Sequence, residues 1–147
     1  MINAEQGRAR PCLFEELKMA ILGVDLDSKT LRWVEVHSNG TSHEAGASGR
    51  IVLTGTRDAE AMKRFAKAFQ DVLTEIGPTK IAIKEKAETG RMRAGAASLK
   101  MEGLALYLAD IPVEFISGSK INKCQATHSR LKDAELEAFK AAVCAAT

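Results

Sequence analysis

One change of hydrophobic period does most to limit what this chain can fold into. As far as Leu53 the apolar residues come in short runs rich in β-branched side chains, which is typical of strands. Between Met62 and Ile76 they recur every three or four residues, as on one face of an amphipathic helix that Thr56 would cap. The Gly-Pro pair that follows ends this pattern. This change of period predicts a domain that contains both strands and helices.

Three strands are predicted before this helix. Ala20–Leu26 is continuously apolar, as in a central strand buried on both faces, and Leu31–His37 follows closely enough to form a hairpin with it. His37–Gly49 contains several glycines and serines and is predicted to be a loop or a loosely paired ribbon. Arg50–Leu53 then supplies a third, short strand. The first part of the domain is therefore a predicted β-meander.

Strands and helices alternate after the first helix. The predicted elements are a strand at Lys80–Lys84, a charged loop at Glu85–Ala97, a helix at Ser98–Leu108 capped by Ser98, a strand at Pro112–Ser117, and a last helix at Asp133–Ala146. Right-handed crossovers through the helices make the first, fourth and fifth strands parallel. The sequence thus predicts an α/β, ribonuclease-H-like fold: a five-stranded mixed sheet, built as a three-strand meander and then αβαβα, with helices on both faces.

Length and composition fit a single domain. The chain has 147 residues, of which 46% are hydrophobic and 27% charged, enough for a substantial core. Residues 1–18 lack a clean period and Met19 begins the first apolar run, so we predict a flexible or non-native N-terminal extension at 1–18 and one domain at 19–147. No apolar run approaches the roughly 20 residues that a membrane helix needs, so we expect no membrane contact.

Charge and cysteine content limit the partners and the compartment. The net charge is +2, too small for the whole molecule to attract a polyanion, so any basic surface must be local. Cys12, Cys124 and Cys144 are odd in number and widely spaced, which favours reduced thiols over a disulfide framework or a zinc site. The N-terminus has no secretory leader pattern. We therefore expect a cytoplasmic protein.

Two segments carry a family resemblance. Met19–Val36 (MAILGVDLDSKTLRWVEV) resembles the first hairpin of Holliday-junction resolvases, which has an aspartate on strand one. Ile81–Ala126 resembles the fourth strand, crossover helix and fifth strand of the same family. With its I-K strand, basic glycine-containing loop and S-x-K-M-E-G motif, the chain is also similar to a family of small bacterial proteins of no established activity in the ribonuclease-H-like superfamily. The likeness covers roughly 19–142 and implies mainly the fold.

The resolvase resemblance implies a metal-dependent nuclease. Such enzymes need three or four carboxylates around two divalent cations, Mg²⁺ or Mn²⁺, for an in-line phosphodiester displacement. By this resemblance Asp25 occupies the first ligand position, and Asp133 and Glu137, which share a face of the last helix, are the final acids. The fourth-strand glutamate falls on Lys84, with Glu85 one residue further on. The nuclease alternative therefore has Asp25, Glu85, Asp133 and Glu137 as its catalytic residues.

Lys84 argues against that alternative. Its ammonium group would occupy the position of a cation and pair with Asp25. Glu85 would point to the opposite face of the strand unless a β-bulge shifted the register. Asp25 has a simpler role available, which is to cap the hairpin turn through the amides that follow it. We therefore expect neither a metal nor another cofactor, and an enzyme is the less favoured interpretation.

The segment 84–100 is the locally basic part of the chain. Its cationic residues are Lys84, Lys86, Arg91, Arg93 and Lys100. Contacts from Arg and Lys to a nucleic-acid backbone need no recognition of bases, so this loop is a candidate phosphate-binding segment. It lacks the aromatic residues that stack on single-stranded bases, and a solvated loop without a ligand is the alternative interpretation.

The leading hypothesis is a ribonuclease-H-like binding module that contacts nucleic acid. Its predicted binding residues are Asp25, Lys84, Lys86, Arg91, Arg93, Lys100 and Glu102. A metal-dependent nuclease is the alternative, and a homo-oligomeric structural or adaptor protein, pairing through an exposed strand or helix face, is the third hypothesis. The face that Lys84 occupies decides between the first two, because it determines whether carboxylates can converge.

Overall fold

Five strands form a single sheet. The computed structural model describes residues 19–39, 41–128 and 130–146. The strands are β1 (Met19–Asp27), β2 (Thr30–Ser38), β3 (His43–Val52), β4 (Lys80–Lys84) and β5 (Val113–Ile116), in the spatial order β3-β2-β1-β4-β5. β2 pairs antiparallel with β1 and β3, whereas β4 pairs parallel with β1 and β5. The predicted five-stranded mixed sheet is confirmed; the predicted extension at 1–18 lies outside the described residues.

Helices cover both faces of this sheet. They are α1 (Ala59–Ile76), α2 (Ala96–Leu108), α3 (Gly118–Lys123) and α4 (Asp133–Ala146). On one face, Phe65 and Phe69 of α1 are buried in the same cluster as Leu22 of β1. On the other face, Phe139 of α4 is buried with Ile21 of β1. Both faces of β1 are therefore buried, as its continuous apolar run predicted. No helix in the described ranges is long and apolar enough to cross a membrane.

The helix α4 rests directly on β1. A Cβ atom added to Gly23 would lie 2.0 Å from the carbonyl oxygen of Ala138 and 3.1 Å from the Cβ of Ala142. Ala138, Ala141 and Ala142 are all fully buried in this contact. Because neither side carries a bulky side chain here, the helix backbone comes close to the strand. This contact holds the first half of α4 beside the carboxyl end of β1, where Asp25 lies.

Both predicted helix caps are wrong. Asp58, rather than Thr56, caps α1, because its Oδ1 accepts a hydrogen bond from the backbone N–H of Glu60 at 2.9 Å. Ser98 lies inside α2 instead of at its start, and its buried hydroxyl donates to the carbonyl oxygen of Ser28 at 2.9 Å. Hydroxyl residues favour N-caps in general, but here the hydroxyl satisfies a carbonyl of the β1–β2 turn.

The segment predicted as a loop at His37–Gly49 is mostly strand. β3 occupies His43–Val52 and pairs with β2 along its length, with a register shift between the pairs Val34–Ser48 and Val36–Ala45 that leaves one extra residue on β3. Glycine at position 49 makes room for Trp33, whose ring would lie 2.8 Å from an added Cβ. Glycines that serve such packing are indistinguishable from loop glycines in the sequence, which is why this strand was missed.

Candidate functional site

A row of charged side chains crosses the carboxyl end of β1. Asp25 pairs with Arg32 of β2, and Arg32 pairs with Arg50 of β3. On the other side of β1, β4 runs parallel with Val24 paired with Ile83, so Lys84 follows at the level of Asp25. Directly paired residues share a face of a sheet, and strand residues two positions away on this face are buried against α4. Arg50, Arg32, Asp25 and Lys84 therefore all lie on the α4 face.

Asp25 is the buried member of this row. It is only 5% exposed, and the Nζ atom of Lys86 lies 3.4 Å from its Oδ1. This ion pair lacks hydrogen-bond geometry, so Oδ1 has no hydrogen-bond donor among the described residues. Nor does any described backbone amide donate to Asp25, which removes the predicted turn-capping role. The charge of the Lys86 ammonium group, rather than a hydrogen bond, therefore compensates the burial of the Asp25 carboxylate.

Lys84 pairs with the last helix. Its Nζ atom donates to Oε1 of Glu137 at 2.7 Å, and the two side chains are 24% and 28% exposed. The expected pairing of Lys84 with Asp25 is therefore corrected: the lysine lies on the face of Asp25, but α4 approaches so closely that Glu137 reaches it instead. Lys86 takes the place beside Asp25. Each of these two acids thus has its own lysine.

A second set of acids lines a cleft of about 500 Å³ next to α2. This acidic cleft is formed by Glu85, Lys86, Glu88 and Glu102, with apolar residues of α2 and β5. Burial raises the pKa of Glu102, and the charges of Glu88 and Glu85 raise it further. Glu85 therefore lies with the acids of the α2 side, as strand alternation predicts for a residue after Lys84.

The remaining predicted binding residues lie away from Asp25. Arg91 and Arg93 are exposed in the loop before α2, where an Nη atom of Arg93 donates to the carbonyl oxygen of Gly90 at 3.1 Å. The Nζ atom of Lys100 donates to the carbonyl oxygen of Thr56, towards the start of α1. The structure thus joins Asp25 with Lys86 and Glu137 with Lys84, whereas Arg93 and Lys100 make their hydrogen bonds elsewhere. Glu102 lies with Lys86 in the lining of the acidic cleft.

Sequence reasoning missed a third feature, which we call the arginine cleft. It has a volume of about 570 Å³ and is lined by Arg32, Gly49, Arg50, Lys132, Asp133 and Glu135. Asp133, predicted as a metal ligand beside Glu137, lies in this cleft. Arg32 and Arg50 are distant in sequence and meet only because β2 pairs with β3. With β3 predicted as a loop over most of its length, no sequence signal pointed to this pair.

These residues do not fit the two-metal centre that the resolvase resemblance implies. Within the described ranges, no three His, Cys, Asp or Glu side chains converge as metal ligands would. The ammonium groups of Lys84 and Lys86 are in ion-pair contact with Glu137 and Asp25, two of the four acids that such a centre would use. A divalent cation bound there would face two like charges.

A family model matches residues 19–146 and describes its members as proteins of unknown function (DUF3010). The chain belongs to the DUF3010 family. The matched range begins with β1 and ends with α4, so it contains every described strand and helix. A comparison with curated proteins finds no match to the DUF3010 chain.

Solved structures of resolvases share the fold of this DUF3010 protein. RuvC from Thermus thermophilus has a TM-score of 0.66 at 16% identity, covering 85% of this chain and 92% of that one. RuvC from the same organism in complex with Holliday-junction substrate has a TM-score of 0.69 at 14% identity, covering 85% and 90%. The yeast mitochondrial resolvase Ydc2 has a TM-score of 0.54 at 10% identity, covering 86% and 75%. These likenesses confirm the predicted ribonuclease-H-like fold.

Proposed function

We propose that this DUF3010 protein is a ribonuclease-H-like module that binds nucleic acid through its phosphates and does not cleave it by two-metal catalysis at Asp25. One observation carries the proposal: Lys86 pairs with Asp25 at 3.4 Å, and Lys84 pairs with Glu137 at 2.7 Å. The negative charge that would attract divalent cations is thereby neutralised by cations of the chain itself.

The energies involved favour the lysines over a metal. Two unit charges about 4 Å apart attract by about 4 kcal/mol at the effective dielectric constant of a protein surface. A dication beside Asp25 would attract the carboxylate about twice as strongly as the ammonium does, but with the ammonium still nearby it would meet a repulsion of similar size, so its binding would gain nothing. Moving the ammonium into water would instead leave the metal at the buried Asp25, where no three acid, His or Cys side chains of the described residues come together to hold it.

The binding half of the proposal rests on the exposed loop before α2. Arg91 and Arg93 are exposed there, and Gly90 has a φ of 90°, a left-handed conformation that keeps the turn narrow and free of a side chain. Exposed arginines on a glycine-containing turn can approach a phosphate chain without recognising bases. That a RuvC of the same fold has been solved with Holliday-junction substrate favours nucleic acid as the ligand class.

The test measures binding and its salt dependence. Fluorescence anisotropy with single-stranded DNA, duplex DNA and a four-way junction is expected to give weak, sequence-independent affinity that falls as salt rises. The double variant Arg91→Ala/Arg93→Ala should lower the slope of log affinity against log salt by about two, one for each lost phosphate contact. The matched variant Arg57→Ala/Lys63→Ala removes two exposed charges near α1 and should leave the slope unchanged. An unchanged slope in the loop variant would remove the loop from the proposal.

A cleavage assay tests the other half. The same DNAs and an RNA–DNA hybrid are incubated with the protein and Mg²⁺ or Mn²⁺, and we expect no products. Metal-dependent cleavage that disappears in Asp25→Asn would overturn the proposal and establish the nuclease alternative.

A further inference from the structure

We propose that the arginine cleft is a binding site for a phosphodiester group of a nucleic-acid strand. This site rests on the proposed function, because both assume that nucleic acid is the ligand. It adds a second surface, separate from the loop that carries Arg91 and Arg93. The two walls of the cleft are the end of β3 and the first turn of α4. They are held together by Arg130, whose Nη2 donates to the carbonyl oxygens of Ala45 at 2.9 Å and Gly46 at 3.3 Å.

The register of the sheet supplies the first argument. Arg32 and Arg50 are directly opposite each other on neighbouring antiparallel strands and share a face. Like charges in this position destabilise a sheet, whereas opposite charges stabilise it. Two guanidinium groups side by side form an arrangement that an anion between them would stabilise, since each guanidinium presents a planar set of donors that fits phosphate oxygens.

The pairing of the charges supplies the second argument. Arg32 has one distant partner, Asp27 at 4.0 Å. Among the described residues, no carboxylate oxygen lies within 4.0 Å of the guanidinium of Arg50 or the ammonium of Lys132. On the opposite wall, Glu135 accepts a hydrogen bond from the Ser48 hydroxyl at 3.5 Å. The lysines on β4 and just after it contrast with this, because each of them has a carboxylate partner.

The balance of charge in the cleft favours a phosphodiester over free phosphates. The lining contains three cationic residues, Arg32, Arg50 and Lys132, and two acidic residues, Asp133 and Glu135. Its net charge is therefore +1. A phosphodiester carries a single negative charge and matches it. A pyrophosphate carries several, and the two carboxylates would repel the excess.

The cleft also continues into the charged row. From Arg50 to Lys84 the row crosses three strand spacings of about 4.8 Å, roughly 14 Å in all. One strand of a duplex advances about 3.4 Å per nucleotide, so the row has the length of about four nucleotides. Anchoring one phosphate at Arg50 and Arg32 would therefore lay the following nucleotides along the carboxyl edge of the sheet.

The experiment uses the full chain and single-stranded DNA in the same anisotropy assay. Arg50→Ala should weaken binding about tenfold, the value of one charge-assisted contact, and lower the salt slope by about one. Arg50→Lys keeps the charge without the planar donors, so it should restore the slope but only part of the affinity. Arg57→Ala, an exposed arginine next to α1, should change neither. Circular dichroism and melting temperature check that each variant is folded.

The outcomes separate this inference from the proposed function. If the wild-type chain binds DNA, Arg91→Ala/Arg93→Ala weakens it and Arg50→Ala does not, the arginine cleft is not a site and the proposed function stands. If the wild-type chain binds no nucleic acid, both fall. If pyrophosphate at equal phosphate concentration displaces the DNA completely, the preference for a phosphodiester is wrong. Loss of affinity in Arg50→Ala, partial rescue in Arg50→Lys and weak competition by pyrophosphate establish the site.

Discussion

The two faces of the sheet are packed against their helices by side chains of different size. Beneath α1 and α2, the core is filled by large side chains, among them Phe65, Phe69 and Met101. Beneath α4, Gly23 and a series of buried alanines let the helix backbone touch the strand. The close approach on the α4 side lets Glu137 reach the end of β4 and form the pair with Lys84. The packing of small residues thus decides which face carries the charged site.

The largest effect is expected where this close packing is broken. Gly23→Ala places a methyl group 2.0 Å from the carbonyl oxygen of Ala138, a backbone atom that cannot rotate away. We expect the free energy of unfolding to fall by about 3 kcal/mol or more, measured by urea denaturation. Gly103→Ala in α2 is the control: an added Cβ meets nothing within 4 Å, so stability should rise by about 0.5–1 kcal/mol. Equal changes in the free energy of unfolding for the two variants would contradict the closer packing of the helix on the α4 face.

A smaller effect is expected from removing one lysine. Lys84→Met leaves the Glu137 carboxylate without its partner, in a setting where both side chains are about a quarter exposed. Allowing for screening by solvent, we expect a loss of about 1–2 kcal/mol. Lys67→Met on α1 breaks the exposed pair with Asp71 and should cost at most about 0.5 kcal/mol.

A double-mutant cycle with Glu137→Gln isolates the pair itself. If Lys84 and Glu137 interact as the 2.7 Å contact indicates, the two substitutions together should cost less than the sum of the two alone. Strict additivity would show that the pair does not exist in solution.

The fold was more predictable than the site because the two depend on different information. The apolar run of β1 and the helical period of α1 are local patterns, and each gave an element of the correct type. Strand alternation predicted that Lys84 and Glu85 point to opposite faces, but which face Lys84 occupies was left open. Its partner was predicted wrongly, because the choice between Asp25 and Glu137 depends on how closely α4 approaches, which Gly23 decides through tertiary packing. The pairing of Arg32 with Arg50 needed the register of a strand whose glycines resembled a loop.

Replacing the lysines tests whether they are what keeps metal from the α4 face. Lys84→Glu puts a carboxylate beside Asp25 and within reach of Glu137, and Lys86→Met removes the ammonium 3.4 Å from Asp25. We expect the double variant to gain a rise in melting temperature with Mn²⁺ that the wild type lacks, since binding to the native state stabilises it. Lys84→Gln/Lys86→Met removes the same ammonium groups without adding a carboxylate and should gain much less. A wild-type chain that responds to Mn²⁺ as strongly as the double variant would contradict this account.

The smallest effect is expected on the opposite side of the sheet, where acids crowd together. Burial, and then the charges of Glu88 and Glu85, raise the pKa of Glu102 in the folded chain. The folded state therefore holds the proton more tightly than the unfolded one, so the contribution of Glu102 to stability is complete below about pH 4 and is lost as the pH rises through its raised folded value. Glu102→Gln keeps the shape and removes the charge, so it should raise the melting temperature slightly at pH 7 and leave it unchanged in acid. Glu75→Gln on α1 changes an exposed glutamate and should leave the melting temperature unchanged at both pH values. A gain for Glu102→Gln that is the same at both pH values would mean that the crowding of charges is not its cause.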